Sequence, residues 1–411
     1  MDPGYIREAC SRMNSRIAEW RRQFHRIPEL GTELPETAAL VRKFFSELGV
    51  EVQESYQGIG VVGLIHGEKG EGPTVAVRAD MDALEIKEQA DREYGSRHPG
   101  RMHACGHDAH MAIALGAADF LARNKERFRG RLKLIFQPGE ESMLGALRMV
   151  EAGALEKPKV DFLLGLHIGN IWEEVGLGQI GVCSKPVMAA ADTFEFTIEA
   201  QGGHGAAPHT SPDPVLAASQ AVIQLHTLIG RELDPVDPAV ITVGQIQGGQ
   251  AANIIPTAVR AKGTVRTLSE KVRDFLETRM AEVVSHTAAG YRCGHRFTYH
   301  RGSPVVKSDP EVTDLVAGSA RELFGAGGVC RIEKPAMVGE DVSFFLREVP
   351  GCFFALGSSN PEKGFHSLHH SPLFDIDESV LWKGTAVFSL AALRLLEGSV
   401  SQAEQRGRLQ S

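Results

Sequence analysis

Residues 132–141 read "LKLIFQPGEE": an apolar run, a Pro-Gly break, and two carboxylates immediately beyond it. Leu132–Phe136 is too short for a helix and is bounded by breakers, so it reads as a buried strand. Similar runs occur at Val61–Ile65, Thr74–Val77 and Val160–Leu166, and a late one at Cys352–Leu356. Helical patterns from Asp108 to about Arg123 and from Met143 to Glu151 separate the later runs. Apolar strands alternating with helices predict an α/β fold: a mixed, largely parallel, buried sheet with helices on both faces.

Working outward, Ile6, Cys10, Met13, Ile17, Trp20 and Phe24 alternate spacings of four and three, marking one face of a helix that Pro28 stops. A second helix spans about 36–48, with Gly49 placed to end it. Past about residue 187 the texture changes. Phe194, Phe196 and Ile198 alternate with polar residues, as in a strand with one wet face. Strand 192–201, helix 213–231, strands 239–247 and 257–267, helix 269–289 and strand 295–301 follow. That β-α-β-β-α-β order is ferredoxin-like. The α/β texture then returns with a helix near 309–324 and a long one over 377–396. The expectation is an α/β domain in two parts, 1–186 and 303–398, interrupted by an α+β domain at 187–302 and ending in a frayed polar tail, 399–411.

A chain of 411 residues exceeds one comfortable hydrophobic core, which fits two domains. Its 43% hydrophobic and 23% charged content is that of a globular protein, and a net charge of −8 excludes the basic footprint of a nucleic-acid binder. Its six cysteines are scattered without a CxxC pair, which argues against a disulfide framework and for a reducing compartment. The N-terminus shows neither a basic nor an apolar signal region, and no apolar run approaches the ~18 residues of a membrane span. The expectation is a cytoplasmic protein with no membrane or nucleic-acid partner.

Open α/β sheets bind ligands at the carboxyl ends of their strands. Thr74–Val77 is followed by Arg78-Ala79-Asp80-Met81-Asp82; the run at 132–136 leads to Glu140-Glu141; Val160–Leu166 ends at His167. Cys105 and His107 lie where a loop enters the helix from Asp108, and the strand at 352–356 feeds a loop with His366, His369 and His370. Singly, each has a bland reading: a packed thiol, a solvated glutamate pair, a core histidine, a capping aspartate pair. A metal site explains them jointly. A cysteine nucleophile would leave Glu140, Glu141 and His167 unexplained. Cys105, His107, Glu141, His167 and His370 make five candidate ligands, too many for one catalytic zinc and suited to two ions. The neighbouring Glu140 is then free to act as a general base.

At these residues the chain resembles the M20 family of metallohydrolases, in its amidohydrolase branch of hippurate hydrolases, N-acyl-amino-acid aminoacylases and auxin-amino-acid conjugate hydrolases. The likeness runs through "HRIPELGTELPET" (25–37), "VRADMDALEIKE" (77–88), "MHACGHDAHM" (102–111), "FQPGEES" (136–142), "LHIG" (166–169), "GGHGAAPH" (202–209), "ANIIP" (252–256), "GEDVSFF" (339–345) and "HHSPLFDIDE" (369–378). It implies a di-metal aminopeptidase-like domain with an inserted ferredoxin-like lid; the exposed helices and edge strand of that lid could support a homodimer or higher homo-oligomer. It implies Cys105, His107, Glu141, His167 and His370 as ligands of two divalent ions, with His370 chosen over His369 because it directly precedes "SP". It further implies Glu140 as general base, His204 as an oxyanion donor from the lid of the same or a partner subunit, and Asn253 as a substrate contact. The chain departs from the family at Gly139, where alanine is usual, at Ser142-Met143-Leu144, which replace a glycine-rich tail, and at Glu85, where proline is common.

The implied activity is deacylation of N-acyl amino acids by a metal-bound hydroxide, with zinc, manganese, cobalt or nickel all compatible with a mixed S/N/O donor set. The residues 248–253 could form a nest for the substrate carboxylate or simply the turn of a hairpin. The rivals are a dipeptide-cutting metallopeptidase of the same clan and a non-catalytic ligand-binding relative.

Overall fold

The structure is a computed structural model and describes residues 1–53 and 59–398. The polar tail expected at 399–411 lies outside the described residues. In chain order the first part runs α1 (Pro3–Arg12), α2 (Asn14–His25), α3 (Pro35–Leu48), β1 (Glu51–Gln53), β2 (Val61–His66) and β3 (Thr74–Asp80). It continues through α4 (His107–Ala122), β4 (Arg131–Gln137), α5 (Gly145–Glu151), β5 (Phe162–Gly169) and β6 (Ile180–Val182). Next come β7 (Ala190–Glu199), α6 (Pro214–Arg231), β8 (Ala239–Gly248), β9 (Ala258–Thr267), α7 (Glu270–Gly290) and β10 (Gly294–Ser303). The chain closes with α8 (Pro310–Phe324), β11 (Val329–Arg331), α9 (Ser343–Glu348), β12 (Gly351–Gly357) and α10 (Leu381–Glu397).

Two compact units result. One comprises Met1–Val187, Val306–Ala336 and the described residues from Asp341 on; the other comprises Met188–Val305 with a short return at Met337–Glu340. The first holds an eight-stranded sheet in the order β1-β2-β4-β3-β5-β12-β6-β11. Its central strands β4, β3, β5 and β12 are mutually parallel, while β1, β2 and β6 pair antiparallel with a neighbour. The parallel strands are buried on both faces, which is why they read as continuous apolar runs. The second unit holds a four-stranded antiparallel sheet, β8-β9-β7-β10, whose core packs against α6 and α7.

Local chemistry sets the helix starts. Asp2-Pro3, Asp213-Pro214 and Asp309-Pro310 each open a helix, the aspartate oxygen accepting from backbone N–H groups in the first turn. Proline just inside loses no hydrogen bond there. Gly49 ends α3 in the left-handed conformation, as expected. α4 is buried from His107 to Leu121, because its apolar residues surround the axis rather than marking a stripe. Burying Met111, Ile113, Leu115 and Phe120 stabilises the unit by roughly 1.5–3 kcal/mol each.

Some expectations need correction. The single helix read over 6–24 breaks at Met13 into α1 and α2; its apolar spacing continues across the break, so periodicity alone could not reveal it. β3 extends through Arg78 and Ala79 to Asp80, because the Arg78 guanidinium is neutralised inside the sheet by Asp80 and Asp341 and donates a further hydrogen bond to Gln137. His167 sits within β5 rather than beyond it. One segment, Glu378–Glu397, is long and apolar enough to cross a membrane by length and composition, contrary to the sequence expectation. It is a core helix: 78% of its apolar window is buried within the protein.

Candidate metal centre

All five expected ligands fall in the first unit and converge. Cys105, His107 and His167 place donor atoms within 4.8 Å of one another, as do Cys105, Glu141 and His370, and likewise His107, Glu140 and Glu141. Cys105 Sγ lies 3.6 Å from His167 Nε2, His370 Nε2 3.4 Å from Glu141 Oε1, and His107 Nε2 3.8 Å from Glu140 Oε2. Gly106 makes the turn possible. Its φ of 90° is one that residues with a Cβ rarely adopt, and a Cβ there would lie 2.8 Å from Ile168 Cγ2. The backbone can therefore reverse between Cys105 and His107 and turn both inward. Gly139 answers one family departure: its φ is 72°, and an added methyl would lie 2.7 Å from Thr32 Cγ2.

The surrounding groups fix which nitrogen faces inward. His107 Nδ1 donates to the Asp82 carbonyl at 2.8 Å, and His167 Nδ1 donates to the Ile168 carbonyl at 2.9 Å. In the neutral ring each Nε2 is thereby the acceptor, the state a metal ligand requires. The Asp82 carboxylate accepts from the backbone N–H of Glu140 (2.9 Å) and Glu141 (3.0 Å), pinning the turn that carries both glutamates. Sequence reading brought Asp80 and Asp82 to this sheet edge with the other groups but gave them no role of their own; they buttress the centre. The period of two that puts them on one side of a strand end was the available signal. His110, the third histidine of the helix start, donates to Asp80 at 2.6 Å and accepts from the Ile168 N–H at 2.9 Å, so it is spent on support. His369 Nε2 accepts from the Asn170 N–H at 3.3 Å, whereas His370 turns toward Glu141 from a left-handed backbone, φ 62°.

The cluster's electrostatics ask for positive charge. Burial disfavours protonation of His107, yet Asp80 and Asp82 outweigh it and hold the imidazole well above its ordinary pKa. Hydrogen bonds to Cys105 and Glu141 push His370 up to about 10. Burial would raise Glu141, but His370 and His107 hold it below the usual carboxylate range. Burial and the Glu141 charge push the Cys105 thiol up. Such a site draws in protons where it lacks a cation. His107 Nε2 is buried without a hydrogen-bond partner. An orphaned imidazole nitrogen beside a thiol and two carboxylates fits a divalent ion and little else.

The other two expected residues lie in the second unit, beside each other. Gly203–His204 pairs with Ile254–Ile255, and the Gly205 N–H donates to the Asn253 carbonyl at 2.8 Å. His204 is exposed, and its Nδ1 accepts from the Ala206 N–H at 3.1 Å, which leaves Nε2 as a donor. Residues 248–253 connect β8 to β9, which pair as a hairpin with Gly248 opposite Val259.

A mixed thiol, imidazole and carboxylate donor set at the carboxyl edge of an α/β sheet is the donor set of a metal-binding site. The chain belongs to Peptidase family M20/M25/M40, which matches residues 76–394. It is 37% identical over 389 residues to the N-acetyl-L-cysteine deacetylase of Bacillus subtilis, spanning 95% of this chain and 90% of that one. It is 39% identical over 386 residues to thermostable carboxypeptidase 2 of Saccharolobus solfataricus, spanning 92% and 95%. Among solved structures it resembles a dinuclear metal binding peptidase of the M20 family from Bacillus subtilis, with a TM-score of 0.81, 30% identity, and coverage of 94% of this chain and 99% of that one.

Proposed function

We propose that this protein is a metal-dependent amidohydrolase that releases an amino acid from its N-acyl derivative. Cys105, His107, Glu141, His167 and His370 would hold two divalent cations, with zinc, manganese, cobalt and nickel all suited to the donors. Bound there, the ions supply Lewis acidity toward the scissile carbonyl and bring the pKa of a water toward about 7. Glu140 is the general base: its carboxylate takes the proton of the attacking water and returns it to the leaving nitrogen, so a neutral amine departs. His204 donates from Nε2 to the developing oxyanion, and Asn253 contacts the substrate; the second unit acts as a lid, from its own or a partner subunit. Reduced thiols suit a cytoplasmic setting, and all six cysteines are free.

The observation that carries this reading is the convergence of the five donors in overlapping triads that share Cys105, His107 and Glu141, with His107 Nε2 buried and lacking a hydrogen-bond partner. The relatives support the substrate class. A deacetylase of an N-acetyl amino acid and a carboxypeptidase both cut an amide whose nitrogen belongs to a residue with a free carboxylate. The carboxypeptidase likeness also favours a second reading, in which short peptides are cut. Paired assays on N-acyl amino acids and on dipeptides with a free amine separate the two. We expect turnover of the blocked substrates and little of the unblocked ones; the reverse preference would overturn the assignment.

A further inference from the structure

The candidate ligands come from separate stretches of chain, and two of these need an external brace. The Cys105–His107 turn sits at the start of α4, and His370 sits on a long loop between β12 and α10. One side chain from a third element joins them. Arg21 on α2 is wholly buried, and its three guanidinium nitrogens reach three carboxylates. Nε donates to Asp108 at 3.0 Å, Nη2 to Asp375 at 2.7 Å and Nη1 to Glu378 at 3.1 Å. Asp108 adjoins His107; Asp375 and Glu378 anchor the far end of the His370 loop.

Neighbouring bonds thicken the same brace. His25, one helical turn along α2, contacts Asp108 at 2.7 Å and Glu88 at 3.2 Å. Tyr94 donates to Asp375 at 2.8 Å and Arg92 to the Phe374 carbonyl at 2.8 Å. The His370 N–H donates to the Ala104 carbonyl at 2.9 Å. His370 itself stands in a left-handed conformation that a residue with a Cβ keeps only where its surroundings impose it. A planar guanidinium reaching three fixed acceptors is the kind of part that lysine cannot replace.

We infer that Arg21 is a positioning residue for metal binding: through Asp108 and Asp375 it fixes the His370 loop against the Cys105–His107 turn, so that the Cys105, Glu141 and His370 triad stands preformed. This rests on the proposed function, since it presupposes two bound ions. Arg21 touches no donor atom of the centre and acts only through its carboxylate partners.

The test is a calorimetric titration of chelator-stripped protein with Zn²⁺ or Mn²⁺, comparing wild type, Arg21→Lys and His370→Ala. Arg21→Lys should keep the wild-type circular dichroism and bind one equivalent normally. Its affinity for the other equivalent should fall by about 10–100-fold, the same equivalent that His370→Ala loses. Its kcat should drop at limiting metal and recover in excess metal, with KM unchanged. If Arg21→Lys folds poorly, Asp375→Asn, which weakens only the loop side, should show the same selective loss. Two wild-type affinities in a folded Arg21→Lys or Asp375→Asn, or an equal weakening of both equivalents, overturns the inference. A wild-type protein that takes up no metal instead overturns the proposed function, and this inference with it.

Discussion

Each unit of the molecule buries a cluster of charged and polar side chains, and the two clusters are built on opposite principles. In the second unit Asp192 accepts from Arg273 Nε (2.9 Å) and Nη2 (2.6 Å), from Tyr299 (2.8 Å) and from the Gly302 N–H (2.9 Å), while Arg273 also donates to the Gly302 carbonyl (3.0 Å). Its carboxylate and guanidinium balance, and every oxygen of the carboxylate is used. In the first unit the cluster around Cys105 and His107 gathers acids and imidazoles with pKa values displaced in both directions and a buried nitrogen left without a partner. A cluster whose only task is to hold a fold has no reason to stay unsatisfied. Imbalance in one place and balance in the other identify which serves chemistry.

That contrast can be broken by experiment. The largest effect belongs to Glu140→Gln. Turnover should fall by about 10²–10⁴-fold while both metal equivalents remain bound, measured by steady-state kinetics beside elemental analysis. Wild-type turnover would remove Glu140 from its role. Next comes Arg273→Met, which leaves Asp192 buried without its cation. It should lower unfolding free energy by about 3–5 kcal/mol yet leave metal stoichiometry alone. Glu141→Gln is its mirror image. Metal binding should weaken sharply, while the chelator-stripped protein should lose no more than about 1 kcal/mol, because the His370 imidazole that pairs with Glu141 is half exposed and water can take the carboxylate's place. A large loss of stability in the stripped variant would mean that the two clusters are alike after all.

The smallest effect concerns pH. Burial works against the Asp377 carboxylate, but hydrogen bonds from Asn360, Ser379 and Lys363 bring its pKa down from 3.8 to about 2. A carboxylate depressed by folding contributes stability above its unfolded pKa and loses it as the pH falls through the folded value. Asp377→Asn keeps the capping oxygen and should cost about 1 kcal/mol at neutral pH, with the difference from wild type fading between about pH 4 and pH 2. A constant difference across that window would assign the effect to packing rather than charge.

What could be seen in the sequence, and what could not, follows from the range of the interactions involved. Strand runs such as 132–136 and helix starts such as Asp213-Pro214 are set by neighbours in the chain, so they are legible from it. Glu141 and His167 were legible as candidates because they follow or end strands on one sheet edge, and Cys105, His107 and His370 because they lie in loops that enter a helix or leave a strand at that edge. The supporting groups were not. Asp82 acts on Glu140 and Glu141 through backbone N–H groups far along the chain, and Arg21 acts through Asp108 and Asp375. Nothing in the local pattern around a buried arginine distinguishes it from one on the solvated face of the same helix. The extension of β3 through Arg78 was hidden for the same reason: a charged residue reads as a strand's end unless its distant partners are known.

The most direct test is an anomalous diffraction map from crystals of the protein grown with abundant Zn²⁺ or Mn²⁺. Two peaks should appear among Cys105, His107, Glu141, His167 and His370, with none beside Asp192 and Arg273. A map without density between those five side chains would contradict the central claim that they form one metal centre.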